Sequence, residues 1–212
     1  MTTNLQAVID SAQSIEFNRT QLVASTMSRS GRIFAASRNW VRPWRFTISP
    51  KPLWRWEDSR QDLEPLIYGD RLQIHSINFS NVSWVIEYQG QGTLTPGLGY
   101  QVNDVTIASV SGNAWTFTGS GAVNDLFKPG DIFQPQSHKY PYVVKEYNNT
   151  TKTAVVDRGY IQQTGYNPVG QYMNAGRGIV WQVIITKMPT YKLLPGKLME
   201  FSGDFEAVEV IE

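Results

Sequence analysis

Residues 44–49 read Trp44-Arg45-Phe46-Thr47-Ile48-Ser49, and this alternation decides the fold class. In an extended chain successive side chains point to opposite faces, so Trp44, Phe46 and Ile48 share one face and Arg45, Thr47 and Ser49 the other. The pattern predicts a half-buried strand from Val41 to Ile48, of the kind antiparallel sheets carry. Upstream, Gln21 to Met27 and Arg32 to Ala36 are two further runs joined by the polar turn Ser28-Arg29-Ser30-Gly31, which predicts a hairpin. Downstream, Pro50 and Pro52 break the pattern. Leu53 to Glu64 then reads as the one helix, with Leu53, Trp56 and Leu63 on a stripe, Glu57 and Asp58 near its start, and Pro65 ending or kinking it. Strands are expected at Arg71 to Phe79 and Val82 to Tyr88, joined tightly through Ser80-Asn81. Together these elements make one sheet with a helix attached.

The character changes after Gln89, where residues 90–99 hold four of the 17 glycines and mark a boundary. Short strands follow at Val105 to Ser109, Ala114 to Thr118, Ile132 to Gln134, Tyr142 to Tyr147 and Thr153 to Asp157, with Gly, Pro and Asn at the corners between them. Such a series suits a small barrel of the oligonucleotide/oligosaccharide-binding (OB) type. Strand character resumes at Ile179 to Lys187 and ends with Phe205 to Ile211, which best complete the first sheet. The expectation is a mainly β protein. Residues 1–89 and 179–212 form an antiparallel β-sheet domain with one short helix, built from both chain ends, and 90–178 form an inserted OB-like barrel domain.

Composition narrows the function. There is no cysteine, which excludes disulfides, thiolate metal sites and cysteine nucleophiles. A formal charge of +1 supplies no overall attraction to nucleic acid or anionic membrane. Charged residues make up 17% and aromatics 12%, a balance that fits a chain burying surface against partners, since aromatics and Arg are enriched in interface cores. Met1 to Ser14 lacks the basic start and apolar run of a secretory signal. The apolar stretch Ile179 to Ile185 is too short to span a bilayer, so a soluble protein or a part of a soluble assembly is expected.

Two stretches carry a family resemblance. Asn39 to Leu72 contains Trp40-Val41-Arg42-Pro43-Trp44-Arg45-Phe46-Thr47-Ile48-Ser49-Pro50, then the amphipathic helix and Gly69-Asp70-Arg71-Leu72. Ala122 to Tyr147 contains Leu126-Phe127-Lys128-Pro129-Gly130-Asp131-Ile132-Phe133, then His138, Tyr140 and Tyr142-Val143-Val144. In these stretches and in domain order the chain resembles the distal tail, or baseplate hub, proteins of tailed phages. The resemblance implies a structural virion protein forming a ring, usually hexameric. That ring would join the tail tube protein to tail-tip, hub or receptor-binding proteins, with the chain made in the host cytoplasm and assembled into the tail.

The candidate contact surface is the Arg/Trp segment. Residues 19–60 hold nine positive side chains against Glu57 and Asp58, with four tryptophans interleaved. The residues singled out are Trp40, Arg42, Trp44, Arg45, Trp54, Arg55, Trp56 and Arg60. Such a mixture stacks bases and binds phosphates, or packs Arg on Trp and pairs with a neighbouring subunit's carboxylates. The near-neutral whole favours the second. The barrel leaves a carbohydrate- or nucleic-acid-binding module as the alternative, with Tyr140, Tyr142, Tyr160 and Tyr166 as its sugar-stacking candidates. Its five cations are matched by as many acids, which removes a basic groove.

Catalysis has little to build on. His75 and His138 fall in different expected domains, His75 as a solvent or interface residue and His138 in a loop, and no zinc-ligand spacing occurs. No enzyme activity, cofactor or metal is expected.

Overall fold

The computed structural model describes residues 4–18, 23–27, 33–37, 43–69, 72–81, 86–95 and 100–211. It is mainly β and antiparallel. In chain order the first part holds α1 (Asn4–Asp10), β1 (Ser14–Asn18), β2 (Val23–Met27), β3 (Ile33–Ser37), β4 (Arg45–Ser49), β5 (Leu53–Arg55), α2 (Trp56–Tyr68) and β6 (His75–Ile77). The middle holds β7 (Leu94–Thr95), β8 (Gln101–Val102), β9 (Thr106–Ser111), β10 (Ala114–Thr118), β11 (Ile132–Pro135), β12 (Tyr142–Asn148), β13 (Thr153–Val156) and β14 (Met173–Ala175). The last part holds β15 (Trp181–Lys187), β16 (Thr190–Leu194), β17 (Leu198–Ser202) and β18 (Phe205–Glu209).

A five-stranded sheet in the order β1-β4-β18-β15-β6 is built around the stretch that alternates. Trp44, Phe46 and Ile48 are all buried, and Ile48 stands opposite Ile15 on one side and Phe205 on the other. Trp181 from β15 completes this face, its ring centroid 5.1 Å from Phe79, 5.5 Å from Trp44 and 5.9 Å from Phe46. Edge-to-face aromatic pairs of this kind add to the burial itself. On the core lies α1, whose Leu5, Val8 and Ile9 are buried at the i, i+3, i+4 spacing of one helix face. Gln6 pins it, accepting from the Asn78 N–H at 2.8 Å and donating to the Asp10 carboxylate at 2.7 Å.

Several expectations for this part are corrected. Two α-helices form rather than one, because the scattered apolar residues of the polar lead-in are a helical stripe. The strands do not make one sheet: β2 and β3 pair with each other, and β5 joins a three-stranded sheet in the order β16-β17-β5. The second helix begins at Trp56 because Leu53, Trp54 and Arg55 pair with Glu200, Met199 and Leu198 of β17. It then runs through Pro65, whose carbonyl accepts from the Gly69 N–H at 2.8 Å. Its inward residues are Ser59, Leu63 and Leu66, and Leu53 is half exposed. Among the described residues of the stretch Arg71 to Phe79 the strand is β6 alone. Of the strand expected at Val82 to Tyr88, residues 82–85 lie outside the described residues and 86–88 are not strand.

The middle segment forms an eight-stranded sheet in the order β7-β8-β14-β11-β12-β13-β10-β9. Its core centres on Phe133, with Trp115 at 5.4 Å, Phe117 at 5.6 Å and Phe127 at 5.2 Å. The expected OB-like barrel is not confirmed: among the described residues no pairing joins β7 to β9 and no closed barrel forms, although Ile107 of β9 exchanges backbone hydrogen bonds with Gly170 and Gln171, at 2.8 and 3.0 Å, just before β14. The Pro129-Gly130-Asp131 turn leading into β11 is closed by Asp131, whose carboxylate accepts from the Lys128 N–H at 2.7 Å and the Gln89 N–H at 2.8 Å. Gly130 sits at φ +99°, where a side chain is strained.

Candidate assembly surface

The Arg/Trp stripe is divided by the fold. Trp40 and Arg42 lie outside the described residues. Trp44 and Trp54 are buried in the chain's own core and are not contact residues, because strand alternation turns them inward. Trp54 donates from Nε1 to the Lys51 carbonyl at 3.0 Å, and its ring stands edge-on to Phe201 at 6.3 Å. Arg45, Arg55 and Arg60 are exposed and Trp56 is half-buried. Arg60 binds Glu64 through Nε at 2.9 Å and Nη2 at 3.3 Å, while Arg45 and Arg55 belong to different sheets.

A surface that the residue pattern did not single out lies on the three-stranded sheet. Directly opposed residues of an antiparallel pair point to the same face. Trp54 opposes Met199, Leu193 opposes Met199, and Tyr191 opposes Phe201, so these five side chains share one face. Trp54, Met199 and Phe201 are buried, but on the edge strand β16 Tyr191 is 37% and Leu193 69% exposed. The apolar face therefore continues past the core onto an uncovered edge. Tyr68, exposed at the end of α2, lies near Tyr191 and raises its pKa. The sequence signal was Pro195-Gly196 between two alternating runs, a hairpin cue.

Beside this edge opens a cleft of about 410 Å³ between α2, β6 and the β15–β16 connection, lined among others by Leu66, Gly69, His75, Ile185, Met188 and Tyr191. His75 is only 4% exposed, which corrects its reading as a solvent or interface residue. In β6 it is His75 and Ile77 that turn inward and Ser76 that turns out. The imidazole makes no hydrogen bond to any described residue, and burial holds its pKa below the ordinary value. A neutral ring on the cleft floor offers one donor and one acceptor.

Of the four tyrosines named for sugar stacking, Tyr160 and Tyr166 are half-buried. Tyr140 and Tyr142 are buried around His138, whose ring lies 5.6 Å from Tyr160 and 4.8 Å from Tyr166. His138 is in a loop as expected, and it is buried. Nε2 lies 3.1 Å from the Ile161 carbonyl, and Nδ1 lies 3.2 Å from the Tyr140 carbonyl and 3.3 Å from the Tyr140 N–H. Burial first, and Arg158 nearby, lower its pKa.

One ion pair joins the two cores. Arg158, in the turn after β13, places Nη1 at 2.6 Å and Nη2 at 2.8 Å from the two carboxylate oxygens of Glu209 in β18, and both side chains are 0% exposed. Nη2 also donates to the Pro141 carbonyl at 2.6 Å, and the Trp44 N–H donates to Glu209 at 3.1 Å. Gln134 adds a second link, donating to the Val180 carbonyl at 2.8 Å and accepting from its N–H at 3.0 Å. Among the described residues no group of His, Cys, Asp and Glu is arranged to hold a metal ion, and no helix is long and apolar enough to cross a membrane. Neither a family model nor a curated protein matches the chain.

Proposed function

We propose that this chain is a structural, non-catalytic virion protein of a tailed phage, a ring-forming component of the distal tail or baseplate hub type. In this role copies assemble side by side, and the ring joins the tail tube to peripheral host-recognition parts. The observation that carries the reading is the uncovered inner face of β16, where Tyr191 and Leu193 continue a buried apolar face into solvent. Core-type residues left open on an edge strand are suited to burial by another chain. The Asn39 to Leu72 and Ala122 to Tyr147 resemblance supplies the kind of assembly.

A closed ring needs head-to-tail contacts, so each subunit presents two different patches. The test is the solution mass of the purified chain across a wide concentration range, with electron-microscope images of the largest species. A discrete closed oligomer seen as rings is expected. A monomer at every concentration overturns the reading.

A further inference from the structure

We propose that the cleft over His75 is a binding site for an uncharged small molecule, one with an apolar body of one or two rings and a hydroxyl that pairs with the imidazole. Such a site is independent of ring formation.

The edge of the five-stranded sheet builds it. His75 opens β6, the last strand in the order β1-β4-β18-β15-β6, and stands opposite Val183 of β15. Alternation turns His75 and Ile77 to the inner face, at the end of the sheet where the cleft separates it from α2. Leu66 and Ile185, both buried, lie with the imidazole on the floor, Met188 is on the wall, and Gln73 and Tyr191 are exposed at the mouth. Gly69 leaves one side of the mouth as bare backbone. A Cβ there would stand 2.1 Å from the Pro65 carbonyl oxygen and 3.5 Å from Oε1 of Gln73, so the chain leaves α2 through a residue that has no side chain to fill the space.

The missing partner of His75 sets the ligand's polar group. Gln6, Asp131, Gln134, His138, Arg158 and Glu209 are also buried polar side chains, and each of them is hydrogen-bonded. His75 is buried to the same degree, yet its ring nitrogens have no hydrogen-bond partner among the described residues. A polar group withdrawn from water without a partner costs free energy, which a ligand that supplies the partner recovers. Burial keeps the ring neutral near neutral pH. It then presents one donor and one acceptor, the two roles that a hydroxyl also plays.

The walls set the ligand's body and charge. Among the described residues that line the cleft none is charged, so an ionised ligand would enter without a counter-charge. The volume of about 410 Å³ lies within the roughly 300–1,000 Å³ of small-molecule sites, which combine apolar walls with a few placed polar groups. Tyr191 at the mouth adds an aromatic ring against which a second ring packs.

The probes are 2-naphthol, naphthalene and 2-naphthoate, titrated into the full chain with isotope-labelled histidine. The chain has two histidines, so long-range proton–nitrogen spectra show two rings, assigned by the one that disappears in His75→Phe or in His138→Gln. Saturating 2-naphthol should move the ring-nitrogen signals of His75 and leave those of His138 in place. It should bind about three- to tenfold more tightly than naphthalene, the share of one hydrogen bond, and at least about tenfold more tightly than 2-naphthoate. His75→Phe should erase the preference for 2-naphthol over naphthalene, and Met188→Trp, which fills the cleft and keeps the imidazole, should weaken all binding. His75 nitrogens that stay unmoved at saturating 2-naphthol overturn the site. Equal binding of 2-naphthoate overturns the uncharged class. His75 signals that move with protein concentration when no probe is present show a second copy's side chain in the cleft, and overturn the small molecule while leaving the ring reading standing.

Discussion

Arg158 and Glu209 carry opposite charges into a space that water does not reach, and each depends on the other for its solvation. A buried pair contributes little net stability against an apolar replacement, but losing one member strands a charge. Arg158→Met should therefore lower the unfolding free energy by about 3–5 kcal/mol, measured by urea titration, and Arg158→Met with Glu209→Leu should recover much of that loss. Glu209 was hidden by its neighbours. In Phe205-Glu206-Ala207-Val208-Glu209 the inward set is Phe205, Ala207 and Glu209, so a glutamate takes a core position that hydropathy assigns to solvent. No local signal marks Arg158 either, since its partner is 51 residues away. His138 supplies a titration. Its folded pKa lies below the ordinary 6.5 because burial and Arg158 disfavour the charged ring. Around it stand Arg158 and the phenols of Tyr140, Tyr142, Tyr160 and Tyr166, and the Tyr140 and Ile161 carbonyls, which favour the charged ring, offset burial and Arg158 only in part. Its contribution to stability is complete above the unfolded value and is lost as pH falls through the folded one. His138→Gln should flatten the fall in melting temperature between neutral pH and pH ~5, with His75 supplying what remains. A variant with the wild-type pH profile would remove His138 from this account.

At the scale of elements, the Lys128–Asp131 turn tests how the middle sheet is closed. Asp131→Ala leaves two backbone N–H groups, of Lys128 and Gln89, without their acceptor and should cost about 1–3 kcal/mol. Gly130→Ala, in open space but at φ +99°, should cost about 1–2 kcal/mol from backbone strain alone. Chemical denaturation of both variants separates lost bonds from lost conformational freedom. The strands with strong alternation were legible: β10 was placed to the residue, β4 by its Trp/Phe/Ile face, and the β2–β3 hairpin within a few residues. The misplaced elements are those whose state depends on distant pairing. Leu53–Arg55 has helical neighbours but is held as strand by β17, and β14 is strand only because β11 and β8 flank it. In α1 the signal was present in Leu5, Val8 and Ile9 and was outweighed by polar surroundings. Of the Arg/Trp residues singled out, Arg45, Arg55 and Arg60 are exposed while Trp44 and Trp54 belong to the core, and the exposed Leu193 lies in a hairpin whose face only its register reveals.

At the scale of the whole molecule, the two cores are tied by Arg158–Glu209 and Gln134–Val180, and Ile132 and Val143 from the middle segment lie in the first core. Unfolding should accordingly be one cooperative transition, with calorimetric and van't Hoff enthalpies equal. Arg158→Met should split or broaden it, and two well-separated transitions in the wild type would refute the coupling. The place of β18 has a consequence for biogenesis. This strand lies at the centre of the five-stranded sheet, between β4 and β15, yet it is synthesised after every other strand of that sheet. The middle segment, 94–175, is contiguous and has all its strands when it leaves the ribosome. The first sheet does not, and until β18 emerges the apolar face of β4, with Trp44, Phe46 and Ile48, lacks its central neighbour. Folding of this half is thus deferred until β18 has been synthesised, and a nascent chain stalled before Phe205 should present a folded middle and a protease-sensitive remainder.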